Sequence, residues 1–437
     1  MAAARKDRAQ PGPIRLGEDV PLAGFSPSSA DGLGSADGFG DPIKAVSDLI
    51  AVAISGCGAD AYVLHAYFEE ALASFDPVTV AQVHGAILDR PEPVIRHLAA
   101  YWCLDPRPAV RSRAIDALNA WSAAGMLTED DGARLGLLRG WLPADDAARL
   151  PARKKYKAIR TRLFAIERVF ASLPDGAGAQ TIMIPGRRGR DPVLLCILIK
   201  EGPGVADAYE VAFETPAEQV EALRWTHDQL ELYPVSLETV LDLMARALAD
   251  GLENGQSPSH GLLDVLVALG LDAFAPQPAT AADRLAHIDR ENALEALSKQ
   301  KIGRLINASA LWPTLYVMVM SWAEDIREIP EAGRAGPGGP VPRSVVGRFV
   351  DGRRERWARL AAQSAAVLKD AAASEDFCGP WDWLEMAAVG RALLENRPLR
   401  KIPIMQKIID ETLGEGDEAP LADDLTALLE TISARMG

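Results

Sequence analysis

The chain has 437 residues with 46 Lys and Arg against 61 Asp and Glu, a formal charge of −15, and only 6% aromatic residues. This length can bury a substantial core, as two to four domains or one elongated solenoid, and the abundance of Ala and Leu favours closely packed helices over a large sheet. The acidic balance argues against a general nucleic-acid coat but leaves room for a local basic patch, and the scattered Cys57, Cys103, Cys196 and Cys378 contain no CxxC pair, so they read as free thiols rather than a zinc or disulfide framework.

Residues 1–41 are rich in Gly, Pro, Ser and Asp and offer no continuous apolar face, so they read as a flexible leader. Arg5, Lys6 and Arg8 are followed by no apolar signal-peptide core, and a cytoplasmic protein is the expectation. Order is predicted to begin at Asp41-Pro42. Short helices then follow over roughly 60–74, 77–89, 92–104, 107–123 and 128–141, punctuated by Pro77, Pro91, Pro93, Pro106 and Pro108.

Residues 76–124 carry a loose repeating pattern. Asp76-Pro77 opens a helix with Val80, Val83 and Ile87, Val94, Ile95 and Leu98 lie on the next, and Asp105-Pro106 to Arg111 introduces Ala114, Ile115, Leu118 and Trp121. The pattern resembles HEAT-like and armadillo-like helical repeat proteins. That resemblance implies stacked helix pairs with a concave surface that binds protein or nucleic acid; a generic helical bundle is the competing reading.

From Asp145 to Leu173 the spacing of Tyr156, Ile159, Leu163, Ile166 and Phe170 predicts a longer helix restarted near Pro151. Its segment Arg153–Arg162 holds six basic residues in ten. The chain then changes character. Val193–Ile199 is an unbroken apolar run that reads as a strand covered on both faces, Thr181–Ile184 precedes it across a basic turn, and Tyr209, Val211 and Phe213 alternate with polar or small residues as a third strand. A small antiparallel sheet inside a helical array is the prediction.

Beyond the sheet, helices are predicted from Pro216, over Ser236–Leu252, from Leu262 to Gly270, and over 281–289, 292–308, 311–325, 344–371, 381–395, 401–413 and 420–435. Leu311–Ala323, apolar on several sides, reads as a central helix about thirteen residues long, too short for a membrane span. The expected divisions are therefore a leader (1–41), an N-terminal helical region (42–175), a β insertion (176–215), a central helical region (216–331), a Gly/Pro-rich linker (332–342) and a C-terminal helical region (343–437).

The most distinctive functional signal is a composite basic surface. Lys154, Lys155, Lys157, Arg160 and Arg162 come from the helix, and Arg187, Arg188 and Arg190 from the hairpin tip. Such groups can neutralise phosphates or pair with an acidic protein surface, and a solvated helix face beside an ordinary charged turn explains them equally. Arg353, Arg354, Arg356 and Arg359 read as a second basic patch. His65 and Glu69 share a helix face without a third ligand, and no HExxH, P-loop or GxGxxG pattern occurs, so no catalytic residue, metal or cofactor is assigned.

The resulting reading is a mainly α protein, an irregular α-solenoid or multi-helical array with a small antiparallel β insertion. Its expected role is non-enzymatic macromolecular binding, with a protein partner through a helical groove and the basic hairpin. Nucleic-acid binding and a metal-dependent hydrolase are the alternatives, and a homo-oligomer stays open.

Overall fold

The computed structural model describes residues 50–57, 60–90, 92–152, 164–330, 339–374 and 383–414, all within one compact unit. The expected leader, the basic segment 153–162, most of the linker and the last predicted helix lie outside the described residues. What is described is mainly helical with one antiparallel sheet. Among the described residues no helix is long and apolar enough to cross a membrane.

The N-terminal helices are α1 (Ala61–Leu72), α2 (Pro77–Leu88), α3 (Pro93–Trp102), α4 (Pro108–Ala123), α5 (Glu129–Leu138) and α6 (Ala144–Arg149). Proline opens three of them, where its missing N–H costs no helical bond. Asp60 and Asp76 cap α1 and α2 by accepting from two backbone amides each, and Thr128 with Asp131 forms a capping box on α5. Helix α3 packs against α1, α2, α4 and α5, which explains why nearly all its residues are buried.

The sheet comprises β1 (Phe164–Ile166), β2 (Phe170–Ala171), β3 (Gln180–Arg188), β4 (Asp191–Lys200), β5 (Gly204–Ala212) and β6 (Tyr233–Pro234), the last reached through α7 (Pro216–Leu230). Its order is β5-β4-β3-β2-β6, with β1 also pairing β3. The β3–β4 hairpin pairs Gln180 with Ile199 at one end and Arg188 with Asp191 at the other. Val193, Leu194, Leu195 and Ile197 are buried, as their unbroken apolar run requires, and each contributes about 1.5–3 kcal/mol by leaving water.

The predicted helix from Asp145 to Leu173 is corrected here. Its first part ends at Arg149, the restart beyond Pro151 lies outside the described residues, and Phe164–Ile166 and Phe170–Ala171 are strands. Ile166 and Phe170 fit a helical spacing, but Phe164 and Ile166 also fit alternation. The open edge of β3 decides between them: Glu167 N donates to Pro185 O (3.0 Å) and Ser172 N to Thr181 O (2.9 Å). Gly186 is required at this edge, because a Cβ there would overlap the Ala165 carbonyl and the Phe164 ring.

Past the sheet come α8 (Leu237–Glu253), α9 (Leu262–Ala268), α10 (Ala281–Ile288), α11 (Lys299–Ala308), α12 (Trp312–Leu315), α13 (Arg343–Gly352), α14 (Arg354–Ala372), α15 (Trp383–Leu394) and α16 (Pro403–Thr412). Helices α8 and α9 pack on β5, and α14 packs on α8, α10 and α15. Three expectations change. The 292–308 helix starts only at Lys299, where Ser298 caps it. The 344–371 helix is two helices meeting at Arg353, whose φ −107 and ψ 24 leave the helical region. The 311–325 helix does not exist as one element. It breaks into α12 and 3₁₀ turns at Met318–Ser321 and Ile326–Glu328, with Tyr316 and Trp322 extended. Two tryptophans impose the break: Trp312 Nε1 donates to Glu385 Oε2 (3.1 Å) and Trp322 Nε1 to Pro174 O (3.0 Å). Ten residues apart on one helix they would point about 80° apart and sit about 15 Å apart along its axis.

Candidate functional site

The hairpin half of the expected basic surface is present but largely neutralised. Arg187 pairs with Glu167 at 2.5 Å, and Arg188 makes a two-bond fork with Glu210 at 2.7 and 2.6 Å. Arg190 is exposed and makes no ion pair to the described residues. Lys154, Lys155, Lys157, Arg160 and Arg162 lie outside the described residues, so only the hairpin half is placed.

The second basic patch is corrected more sharply, because Arg356 is buried and the other three are half-buried and held by acceptors. Arg353 bonds Glu324 (2.6 Å) and Glu328 (2.7 Å), and Arg354 bonds Asp351 and the Arg397 carbonyl (2.9 Å). Arg356 donates Nε to Glu201 (2.5 Å) and Nη2 to the Gly176 carbonyl, with its guanidinium over the Trp357 ring at 4.5 Å. Arg359 reaches the other oxygen of Glu201 at 3.2 Å. Arg356 and Arg359 clamp α14 onto Glu201, the residue that follows β4. Glu324, whose side chain is 1% exposed, also accepts from Trp357 Nε1 (2.9 Å); burial raises its pKa against the pull of Arg356 and Arg353.

A constellation that the sequence reading did not assemble joins α1, α3 and α5 to β5 and α9. Asp264, on α9, accepts from His97 Nε2 (2.6 Å), from Arg134 Nε and Nη2 (2.9 and 2.8 Å) and from the Tyr101 hydroxyl. Beside it the His65 and His260 rings stack at 3.9 Å, within ring contact of Tyr101, and Tyr62 leans on His260 at 5.1 Å. The Tyr62 hydroxyl donates to Asp207 (3.3 Å), which also accepts from Ser259 (3.4 Å).

The electrostatics follow from this enclosure. Burial would raise the Asp264 carboxyl, but His97, Arg134 and the bonds it accepts outweigh that and hold it far below the usual carboxylate range. Burial lowers His65 to about 4 and His260 to about 3, and His65 pushes His260 further down. Both imidazoles are therefore neutral near pH 7. His84, stacked on Trp102 at 4.1 Å and fully buried, is likewise lowered to about 4. Glu69, which shares a helix face with His65, pairs with Arg107 at 3.1 Å. Burial pushes the Cys196 thiol up to about 12, and the Ser259 hydroxyl is engaged by Asp207 rather than by an imidazole. Among the described residues no group of three or more His, Cys, Asp or Glu is placed to hold a metal ion.

The third feature is apolar. In the broken 311–322 segment Trp312, Tyr316, Met318, Val319 and Trp322 are buried, whereas Leu311 (59% exposed), Leu315 (38%), Val317 (48%) and Met320 (47%) face solvent. Glu231 fixes one end of this ridge. It closes α7 in the left-handed conformation (φ 51), unusual for a non-glycine residue, and its carboxylate accepts from Val317 N at 3.1 Å. Glu231→Gly removes a strain of about 1 kcal/mol but also the anchor. The expected result is a melting temperature within a few degrees of wild type with hydrogen exchange at the Val317 amide at least about tenfold faster. Unchanged exchange there would refute the anchoring role.

Comparison with known proteins matches two stretches of the chain. Residues 76–152 match the family model described as the Y4lR second domain, and residues 282–416 match the Y4lR C-terminal helical domain. The chain is similar to an uncharacterized protein, y4lR, of Sinorhizobium fredii, at 27% identity over 402 residues, which cover 89% of this chain and 76% of that protein. No solved structure matches. The first matched stretch carries His97, Tyr101 and Arg134, the second carries the α14 clamp, and the sheet lies between them.

Proposed function

We propose that the protein is a non-enzymatic scaffold that binds a protein partner through the ridge Leu311, Leu315, Val317 and Met320. The observation that carries this reading is the placement of four exposed aliphatic side chains within ten residues on a base of buried aromatic anchors. An apolar group of this kind on a seat fixed by two tryptophan hydrogen bonds is what recognition sites present, since a preformed surface loses little entropy on binding. The N-terminal helices α1 to α5 would serve as the rigid support, in the manner of HEAT-like or armadillo-like repeats. In favour of that, α3 touches the helices one and two positions away on either side.

Recognition through the hairpin is less favoured than the sequence suggested, because Arg187 and Arg188 already hold carboxylates. Phosphate contacts would have to break those pairs, which also weakens the nucleic-acid alternative.

The test is affinity capture and titration with three folded proteins: wild type, the double variant Val317→Asp and Met320→Asp, and the triple variant Arg187→Glu, Arg188→Glu and Arg190→Glu. The ridge variant is expected to bind at least roughly 30-fold more weakly, and the hairpin variant to retain the partner. Equal binding by the ridge variant would sink this placement. Light scattering of the pure chain identifies the case in which the captured partner is a second copy.

A further inference from the structure

The clamp on α14 leaves a small charged cleft at the end of β4. Lys200 and Glu201 line it from the strand, Asp250 from α8, Arg284 from α10, and Arg359 and Gln363 from α14. Gly178 shapes its floor: it adopts φ +73, and a Cβ there would lie 2.7 Å from Glu201 Cβ.

Three cations and two carboxylates meet here, a formal excess of one positive charge. The carboxylates are engaged. Asp250 takes Arg284 Nη2 at 2.7 Å, and Glu201 takes both Arg356 and Arg359. Arg359 Nη1 stands a loose 4.0 Å from Asp250, and among the described residues Lys200 pairs with no carboxylate. Gln363 is 9% exposed and makes no hydrogen bond to the described residues. An ammonium, the loosely held Nη1 of Arg359 and a buried amide therefore line one space. An anion held there accepts from all three, and the hydrogen bonds it takes from the two cations are charge-assisted. The space itself is small, about one or two water molecules, so it suits a compact group.

We propose that this cleft binds a compact anion, either a halide or the carboxylate head of a small organic acid, between Lys200, Arg359 and Gln363. Glu201 and Asp250 hold the two arginines in position and are screened by them from the anion. The site is independent of the solvent-facing ridge, so neither proposal depends on the other.

The experiment uses the full chain in thermal melts titrated with sodium bromide, formate or succinate, with ionic strength held constant by sodium isethionate. A saturable rise on the order of 3 °C is expected in wild type. Lys200→Met and Gln363→Leu are expected to shift half-saturation at least tenfold higher. Bromide-soaked crystals of wild type give a second readout, independent of variant folding: anomalous scattering is expected within hydrogen-bond reach of Lys200 Nζ and Gln363 Nε2. Half-saturation by formate or succinate at tenfold lower concentration than bromide identifies a carboxylate ligand, and the reverse order identifies a halide. The same titration in wild type and both variants, or bromide in the crystal without a saturable response in solution, would overturn the proposal, the latter marking an adventitious ion only.

Discussion

Arg356→Met is expected to lower unfolding stability by roughly 3–5 kcal/mol, as removal of one partner from a buried ion network does. The guanidinium sits between Glu201 at 2.5 Å and the buried Glu324 at 3.6 Å and also holds the Gly176 carbonyl, so no single contact measures it. Methionine keeps much of the packing on Trp357 but abandons those oxygens. Glu324 retains Arg353 and Trp357 Nε1, which limits its loss, whereas the Gly176 carbonyl loses a donor in a buried position. Urea unfolding measures the deficit. Adding Glu324→Gln to the variant is expected to recover part of it, because burial already disfavours that charge and the amide still accepts from Trp357. A single-variant loss below about 1 kcal/mol would place Arg356 with ordinary surface pairs and refute the clamp.

How much of this was legible in the sequence differs by element. Helix starts were clear where proline and a capping side chain coincide, as at Asp76-Pro77, because both act within three residues. The hairpin was clear for the same local reason: Val193–Ile197 can only be buried, and the Gly/Pro-rich turns on either side leave one way to pair it. Segments decided by distant partners were misread. Phe164–Ile166 is a strand because β3 offers it an unpaired edge, and 311–322 breaks because Trp312 and Trp322 bond Glu385 and Pro174. Arg353, Arg356 and Arg359 looked like part of a basic patch because Glu201 and Glu324 are far away in sequence.

The His97–Asp264 constellation was hidden by the same separation, 167 residues between one partner and the other. One local signal did exist. Asp264 interrupts the apolar run Leu262-Leu263-Asp264-Val265-Leu266, and four of those neighbours are buried. A lone acid there has to find cations or protonate, and Arg134 and His97 are what it finds.

Asp264→Asn is the sharpest test of that junction. The amide removes the charge facing Arg134 and His97 and supplies one acceptor oxygen where the carboxylate supplied two. A loss of about 3 kcal/mol at pH 7 is expected, near the lower end for breaking a buried pair because the side chain is 26% exposed. The pH profile separates this from simple loosening. Asp264 has a folded pKa below its unfolded value of about 3.9, so its contribution is fully present above that value and is lost as pH falls through it toward the folded pKa. His65, His84 and His260 act in a higher window. Their folded values of about 4, 4 and 3 lie below the unfolded 6.5, so their neutral burial stabilises fully above pH 6.5 and is lost as pH falls toward 4. With three protons taken up on unfolding, the limiting slope in that window is about 4 kcal/mol per pH unit. Wild type is therefore expected to weaken in two stages on acidification. The variant is expected to start lower, to keep the histidine stage, and to show a shallower decline below pH 4. An unaltered decline below pH 4 would remove Asp264 from the role assigned to it, and a flat profile between pH 6.5 and 4 in wild type would show that the three imidazoles are not buried as neutral groups.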